Sequence, residues 1–384
     1  MPAARTPSRP SEAAPIFPDT RSAASFLRKH WQKEALLVRG ALRGFAGIVT
    51  AKELTALALR DDVESRLVVR DGPRWSLAHG PFRRADFRAL PARNWSLLVQ
   101  GVNLHSTAAD ALLRRFAFLP FARLDDLMVS LAAPGGGVGP HFDSYDVFLL
   151  QGTGRRRWKY GRQTDLVLKR GLPLKILRRF APEHDALLVP GDLLYLPPNY
   201  AHDGVAVDPC TTYSIGFRAP AANELAAAFL DFLRDNLDLP GRYADPDLAP
   251  TREPARIGAT MQRRCAAMLG AIRWDRATMA RFLGCFLSEP KPTVFFDRPT
   301  PALSRGGFLA RARKRGLRLD PRTQLLYDDH SLFINGAAQR WPAAGAAAMR
   351  ELANTRALLP RTAGAAAREI ATLLHDWYRH GYLH

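Results

Sequence analysis

Short apolar runs separated by glycine and proline dominate the middle of the chain, between residues 127 and 217. Runs of this kind, bounded by turn residues, are typical of β-strands. Many short strands with frequent turns favour a sandwich or a small barrel over alternating βαβ units, so we predict a jelly-roll barrel. The predicted strands are 127–132, 141–150, 155–160, 186–189, 193–196 and 212–217.

On both sides of this region the apolar residues recur mainly at helical spacing. Upstream, residues 95–105 suit a strand and residues 108–118 suit a helix with one apolar face. After Pro220, apolar residues lie three or four apart behind Asn223, which is a good N-cap residue. Further helices are predicted at 255–272 and 278–288.

The C-terminal part of the chain combines helices with a short hairpin. A basic helix at 308–315 precedes two short strands, at 323–327 and 331–335. Helices near 344–354 and 363–378 follow. This order of elements resembles a winged-helix module.

These changes of pattern divide the chain into four predicted segments of an α+β protein. They are a flexible N-terminal tail (1–22), a barrel domain (23–219, with its core at about 97–219), a helical region (220–298) and a winged-helix-like C-terminal domain (299–384). At 384 residues the chain is long enough to bury a full hydrophobic core and to form two or three domains.

Composition sets limits on the class of protein. Hydrophobic residues at 47% and charged residues at 24% are ordinary for a globular chain. No stretch approaches the roughly 18 uninterrupted apolar residues of a transmembrane helix, so we expect no membrane partner. The N-terminus lacks the apolar core of a signal peptide. The three cysteines are too scattered for a disulfide framework, and we expect a cytoplasmic protein.

The chain is strongly basic, with a formal net charge of +19. Such an excess favours contact with polyanions, most obviously nucleic acid or ribonucleoprotein. The alternative is a solvated surface on which arginine is simply tolerated, because the arginines are spread over the whole chain. Net charge alone does not decide between these two interpretations.

The segment PHFDSYDVF contains a candidate metal site. Residues two apart in a strand project from the same face, so His141 and Asp143 can address one point. A second segment, VPGDLLYLPPNYAHDG, presents His202 on a tight turn after an apolar strand. Two imidazoles and one carboxylate form a facial triad that suits Fe(II) and leaves coordination positions open. The alternative is that both histidines are packed in the barrel and that Asp143 is a turn residue.

The hairpin after this motif, QGTGRRRWKY, carries three arginines. Alternation places Arg156 on the opposite face from Arg155 and Arg157. The planar guanidinium suits bidentate capture of a carboxylate, such as the distal one of 2-oxoglutarate. Parity does not tell which face looks inward.

Two stretches carry a resemblance to a known family: LDDLMVSLAAPGGGVGPHFDSYDVFLLQGTGRRRWKYG and LLYLPPNYAHDGVA. They closely resemble the JmjC-type ribosomal oxygenases of bacteria, enzymes of the cupin superfamily with a double-stranded β-helix barrel. The resemblance is dense from about 124 to 218 and weakest beyond about 299.

The resemblance implies roles for individual residues and for whole regions. The family's iron ligands fall on His141, Asp143 and His202, its 2-oxoglutarate arginine on Arg156, and a substrate-site serine on Ser130. For Ser130, a strand hydroxyl satisfied by its neighbours is an equal alternative. The family also implies a homodimer through the helical region and a winged-helix C-terminus.

Our leading hypothesis is a 2-oxoglutarate- and Fe(II)-dependent oxygenase that uses O₂ to hydroxylate a side chain, in this family an arginine, of a large-subunit ribosomal protein. One rival is a metal cupin enzyme that does not use 2-oxoglutarate, which leaves Arg156 unexplained. The other is a nucleic-acid-binding regulator with a non-catalytic barrel. A chain of charge +19 does not attract a basic protein by its overall field. Asp125, Asp126 and Asp146 are therefore candidates for local acidic complementarity.

Overall fold

The computed structural model describes Ile16 and residues 23–384. Apart from Ile16, the predicted tail 1–22 lies outside the described residues. The helices within 23–384, α1 to α11 in chain order, are Ala23–Lys29, Ala51–Ala58, Arg84–Arg88, Thr107–Arg114, Ala222–Asn236, Ala259–Leu269, Arg276–Ser288, Arg305–Arg315, Ala346–Thr355, Pro360–Glu369 and Ala371–Arg379. In this part of the chain, none of the helices has the length and apolar character to cross a membrane.

The strands of the same residues are numbered β1 to β17. They are Leu36–Val38, Ser65–Asp71, Arg74–His79, Trp95–Val99, Leu124–Ala132, His141–Phe142, Val147–Gln151, Arg156–Arg162, His184–Leu188, Leu193–Leu196, Tyr200–Ala206, Cys210–Phe217, Leu317–Arg318, Leu325–Tyr327, Ser331–Ile334, Ala337–Arg340 and Ala357–Leu358.

Two antiparallel sheets form the barrel. The large sheet has the strand order β1-β10-β7-β12-β5-β4-β2-β3, and the small sheet has the order β6-β11-β8-β9. From β5 to β12 the chain passes repeatedly between the two sheets, with only β8 and β9 consecutive in the same sheet, which is the pattern of a jelly roll. The predicted double-stranded β-helix is confirmed.

Strand alternation in β5 separates a core face from a cavity face. Leu127 and Val129 are fully buried in the main hydrophobic cluster, together with residues of α1, α2 and α4. Asp126, Met128 and Ser130 have the opposite parity and line a cavity. Burying a leucine or valine contributes about 1.5–3 kcal/mol, so the core face fixes the register and thereby the cavity face.

The single strand predicted at 141–150 is wrong, because the chain changes sheets within it. β6 ends at Phe142 in the small sheet and β7 begins at Val147 in the large one. The backbone between them is held by distant residues. Asn199 N–H donates to the Asp143 carbonyl at 2.8 Å, and Phe217 N–H donates to the Asp146 carbonyl at 3.2 Å.

The predicted helical character beyond residue 220 is confirmed, with two differences in its boundaries. Asn223 lies inside the first turn of α5, whose N-cap is Ala221. The helix predicted at 363–378 is two helices, α10 and α11, that meet at Ile370. A small cluster of Phe229, Leu233 and Phe282 joins α5 to α7.

The C-terminal part has a hydrophobic cluster of its own. It lies between α8, α9, α10 and α11 and a three-stranded sheet of β14, β15 and β16. Phe308, Met349 and Trp377 are buried at its centre. The third strand, β16, is absent from the sequence prediction.

Candidate metal centre

The register of one strand pair brings two histidines together. β6 and β11 pair antiparallel with His141 directly opposite His202, and the two rings lie 4.2 Å apart between centroids. Asp143 follows β6 with the parity of His141, and its Oδ2 lies 3.7 Å from His202 Nε2. The ligand atoms of the three side chains all lie within 4.8 Å of one another.

Backbone carbonyls orient both imidazoles. His141 Nδ1 lies 2.9 Å from the Gly139 carbonyl oxygen, and His202 Nδ1 lies 3.0 Å from the Tyr200 carbonyl oxygen. A carbonyl only accepts, so both Nδ1 atoms carry the proton and both Nε2 atoms present a lone pair. This is the arrangement that metal-binding histidines adopt.

Burial keeps one of these histidines neutral. His202 is 2% exposed. Burial, assisted by the neighbouring His141, lowers the pKa of His202 to about 4. A metal ligand must be neutral imidazole. The donor set of two neutral imidazoles and one carboxylate fits Fe(II).

His202 lies within a strand, not on a turn as the sequence suggested. The turn at Pro197–Asn199 precedes β11, and His202 is the third residue of that strand. Asn199 adopts a positive φ of 63° there, a conformation that asparagine tolerates better than most residues. Pairing with β8 as well as β6 makes the placement of His202 more rigid than a turn would.

A cavity of about 240 Å³ between the sheets is lined by the three metal-ligating side chains and by Arg156. Arg156 is 5% exposed. Its Nε and Nη2 atoms have no hydrogen-bond partner among the described residues. A buried guanidinium with unpaired donors is costly, so this edge is poised for an anionic ligand.

The arginines on either side of Arg156 point outwards and are already paired. Arg155 Nε lies 2.7 Å from Asp208 Oδ2, and Arg157 Nε lies 2.7 Å from Asp185 Oδ1. Strand alternation therefore separates one inward, unpaired guanidinium from two exposed ion pairs. The question that parity left open is answered: Arg156 faces the cavity.

Ser130 lies in the same cavity, on the opposite sheet. It is 4% exposed, and its Oγ donates to the Thr212 carbonyl over 3.5 Å, which is long for such a bond. Thr212, its partner on β12, also lines the cavity. The hydroxyl therefore has a weak partner in the protein and access to a ligand.

Asp126 contributes a buried carboxylate to the cavity wall. Its two carboxylate oxygens accept hydrogen bonds from Gln100 Nε2 at 3.1 and 2.9 Å. Lys291 Nζ donates to Asp126 Oδ2 at 3.0 Å. Burial raises the pKa of Asp126 above its usual value, and the nearby Lys291 offsets this only in part. Asp125 is beside it, with Oδ1 3.3 Å from Lys291 Nζ.

Asp146 does not belong to this acidic group, which corrects the sequence hypothesis. It is fully buried and faces away from the cavity. Its carboxylate accepts from Tyr195 Oη at 2.6 Å and from Gln32 Nε2 at 3.0 Å, and pairs with Arg123 at 3.2 Å. Asp146 therefore has a structural role.

Several cavity residues were missed by the sequence reasoning. On β5, Met128 shares the parity of Ser130, so extending that parity along the strand would have found it. The same rule applied to β12 gives Ser214 and Gly216 alongside Thr212. No local signal points to Lys291, which is 165 residues from Asp126 in sequence.

Comparison with known proteins gives the family. A family model described as "JmjC domain" matches residues 111–225, and one described as "ROXA-like winged helix" matches residues 271–384. The chain is 38% identical over 299 residues to the ribosomal protein uL16 3-hydroxylase of Escherichia coli (strain K12), a match covering 74% of this chain and 79% of that protein. The chain belongs to the JmjC ribosomal oxygenases.

Other relatives and solved structures agree with this membership. A probable ribosomal oxygenase of Haemophilus influenzae is 37% identical over 245 residues, covering 62% of this chain and 58% of that protein. The X-ray structure of E. coli YcfD has a TM-score of 0.83 at 33% identity, covering 95% of this ribosomal oxygenase and 98% of YcfD. A structure of YcfD in complex with cobalt and 2-oxoglutarate has a TM-score of 0.80 at 32% identity. The predicted oxygenase class is confirmed, and a metal with 2-oxoglutarate is confirmed for the family.

Proposed function

We propose that this ribosomal oxygenase hydroxylates an arginine side chain of the large-subunit ribosomal protein uL16, using Fe(II), 2-oxoglutarate and O₂. The observation that carries the proposal is a single cavity. It joins three metal-ligating side chains within 4.8 Å of one another to a buried guanidinium without a partner among the described residues. A cupin enzyme that does not use 2-oxoglutarate has no need of that guanidinium.

His141, Asp143 and His202 would hold the iron through Nε2, a carboxylate oxygen and Nε2. When bound, Fe(II) supplies the activation of O₂ by which 2-oxoglutarate becomes succinate and CO₂ and one oxygen atom enters a substrate C–H bond. The protein's part is to fix the geometry of the ligands on paired strands and to shield the site.

Arg156 would bind the distal carboxylate of 2-oxoglutarate. Its Nε and Nη2 donors are free within the described structure and lie on one edge of the guanidinium, which suits a bidentate pair. The guanidinium lies 5.8 Å from the centre of the Trp158 ring, which limits its rotation. Burial strengthens this pair, because no water competes for the carboxylate.

The acidic wall of the cavity supports an arginine as the target. Asp126 and Asp125 provide two carboxylates, and a planar guanidinium with five donors can engage both. Gly216 leaves room beside them, since a Cβ there would lie 3.9 Å from the Tyr145 ring and 4.0 Å from Asp126 Oδ1. The space beside Gly216 is therefore bordered by an aromatic ring and a carboxylate, two groups that attract a flat cation.

The test is turnover with defined peptides. We expect succinate release that requires both iron and 2-oxoglutarate and is stimulated by arginine-containing peptides of uL16. Mass spectrometry should locate one added oxygen on an arginine. Replacement of that arginine by glutamine should abolish the product. Stimulation by histidine-containing peptides alone would contradict the arginine assignment, and iron-dependent turnover without 2-oxoglutarate would favour the other cupin class.

We also propose the four-segment division at 1–22, 23–219, 220–298 and 299–384, and a homodimer formed through the third segment. Large apolar side chains are unusually exposed there, including Leu230 at 65%, Ile257 at 68% and Leu269 at 67%. An exposed group of this kind is typical of a protein interface. Analytical ultracentrifugation should give a dimer that Leu269→Glu weakens, whereas a monomeric parent protein would contradict the proposal.

We further propose that the winged helix contacts ribosomal RNA, in keeping with action on a ribosomal protein in the cytoplasm. α8 ends in Arg313, Lys314 and Arg315, all exposed. Neutralising phosphates with such residues makes affinity fall steeply with salt. We expect salt-dependent binding of a ribosomal RNA fragment that is weakened when all three residues are changed to Gln. Equal binding by this variant would contradict the contact.

A further inference from the structure

Lys291 reaches the substrate side of the cavity from another part of the chain. It lies between α7 and α8, and its Nζ is 3.0 Å from Asp126 Oδ2 and 3.3 Å from Asp125 Oδ1. It lines the same cavity as the three metal-ligating side chains. Burial acts to lower its pKa, but the two carboxylates outweigh burial and raise it, so the side chain stays an ammonium ion.

The backbone that carries Lys291 is fixed, whereas its side chain can move. Pro290 and Pro292 flank it and restrict the main chain on both sides. The end of α7 is tied to the barrel, because Arg218 Nη1 donates to the Leu287 carbonyl at 2.8 Å. The Lys291 side chain itself is 36% exposed, so rotation about its four-carbon stem can take the ammonium into solvent.

We propose that Lys291 is an intramolecular competitor that fills the cation subsite at Asp126 and must be displaced by the substrate's charged side chain. This rests on the proposed function, namely that the target is a cation. Between turnovers, Lys291 compensates Asp126, which would otherwise lie buried without a counter-charge, and shares Asp125 with Arg218, whose Nε lies 3.7 Å from Asp125 Oδ1. A substrate binds only if its own cation pairs with Asp126 and Asp125 better than the lysine does.

The competition raises the affinity that any substrate cation must reach, and a guanidinium reaches it more readily than an ammonium. A substrate lysine would replace one ammonium by another, with little gain in hydrogen bonds. A substrate arginine offers a rigid fork that can engage both carboxylates. Because the competitor lowers the affinity of every cation by the same factor, only the stronger cation retains useful affinity. Lys291 therefore sets the minimum affinity for the two carboxylates that a substrate cation needs in order to bind.

The test measures peptide binding without turnover. The full-length protein is loaded with Fe(II) and 2-oxoglutarate under anaerobic and mildly alkaline conditions. It is then titrated calorimetrically with unmodified uL16 peptides that span the hydroxylation site and carry Arg, Lys or Gln at the target position. Lys291→Met should bind the Arg and Lys peptides about tenfold more tightly, by the same factor, since a charge-assisted bond is no longer exchanged. The Gln peptide should show no gain.

Lys291→Arg separates competition from a structural role. An arginine at this position holds the two carboxylates more firmly, so the Arg peptide should bind more weakly than to the parent protein. Competition predicts the affinity order Met, Lys, Arg at position 291, whereas a stabilising cation predicts that Met is worst. Lys52→Met removes one positive charge from an exposed position outside the cavity, as a control for net charge, and should leave peptide affinity unchanged.

Two outcomes separate this inference from the proposed function. If the parent protein binds the Arg peptide no better than the Gln peptide, the cationic target itself is wrong. If it prefers the Arg peptide but Lys291→Met binds it equally or less tightly while melting at an unchanged temperature, the competitor is wrong.

Discussion

The two ends of the cavity treat charge in opposite ways. At the metal end, both histidines use Nδ1 for a backbone carbonyl, which leaves Nε2 for a ligand, and the Nε–Nη2 edge of Arg156 has no hydrogen-bond partner among the described residues. At the substrate end, Asp126 is fully engaged with Gln100 and Lys291. The first end is prepared for ligands that every turnover requires. The second end is closed by the protein's own cation until a substrate opens it.

The largest effect should come from removing a metal ligand. His141→Ala leaves two of three ligands, so iron affinity and turnover should collapse while the barrel stays folded. Iron content by atomic absorption and succinate release measure the loss, and circular dichroism checks the fold. His184→Ala is the matched control, since His184 is exposed on β9 of the same sheet. Full turnover by His141→Ala would refute the metal site.

The next effect should be on 2-oxoglutarate. Arg156→Ala removes a buried bidentate pair worth about 1.5–3 kcal/mol per hydrogen bond, so the KM for 2-oxoglutarate should rise at least tenfold. Arg156→Lys should recover only part of this, because an ammonium cannot form the planar fork. Steady-state kinetics with varied 2-oxoglutarate measure both.

Arg155→Ala and Arg157→Ala are the controls within the same strand. Both side chains are exposed and paired outside the cavity, so the KM for 2-oxoglutarate should stay nearly unchanged. A uniform rise in all three variants would indicate a general effect of positive charge. Sensitivity at Arg155 or Arg157 alone would refute the assignment of Arg156.

At the substrate end, Asp126→Asn should weaken peptide use without affecting 2-oxoglutarate. Losing the charge of one of two carboxylates should lower kcat/KM for the arginine peptide about tenfold. Asp146→Asn is the contrasting variant, because that carboxylate holds Tyr195 and Arg123 in the core. It should lower the melting temperature and leave the peptide KM unchanged. The reverse pattern would mean that the two aspartates have been assigned the wrong roles.

The sequence predicted what depends on local periodicity. The two-residue periodicity of a β-strand correctly placed Arg156 on the opposite face from its neighbours. It also placed His141 and Asp143 on one face. Applied further along β5, the same rule reaches Met128. Features made by distant hydrogen bonds were not predictable, such as the break between β6 and β7, which Asn199 and Phe217 hold. Lys291 is the extreme case, because it reaches Asp126 only through the course of the chain after α7, which the Arg218 hydrogen bond to the Leu287 carbonyl ties to the barrel.

The smallest effect should come from Ser130→Ala. The Ser130 hydroxyl makes one long hydrogen bond, 3.5 Å to the Thr212 carbonyl, so its loss should cost at most about 1 kcal/mol of stability. If the hydroxyl contacts substrate, kcat/KM for the arginine peptide should fall a few fold, with the KM for 2-oxoglutarate unchanged. Ser65→Ala is the control, a buried hydroxyl of β2 that does not line the cavity. A melting temperature that falls while peptide kinetics stay unchanged would make Ser130 a purely structural residue. That outcome would confine substrate recognition to Asp126 and its neighbours.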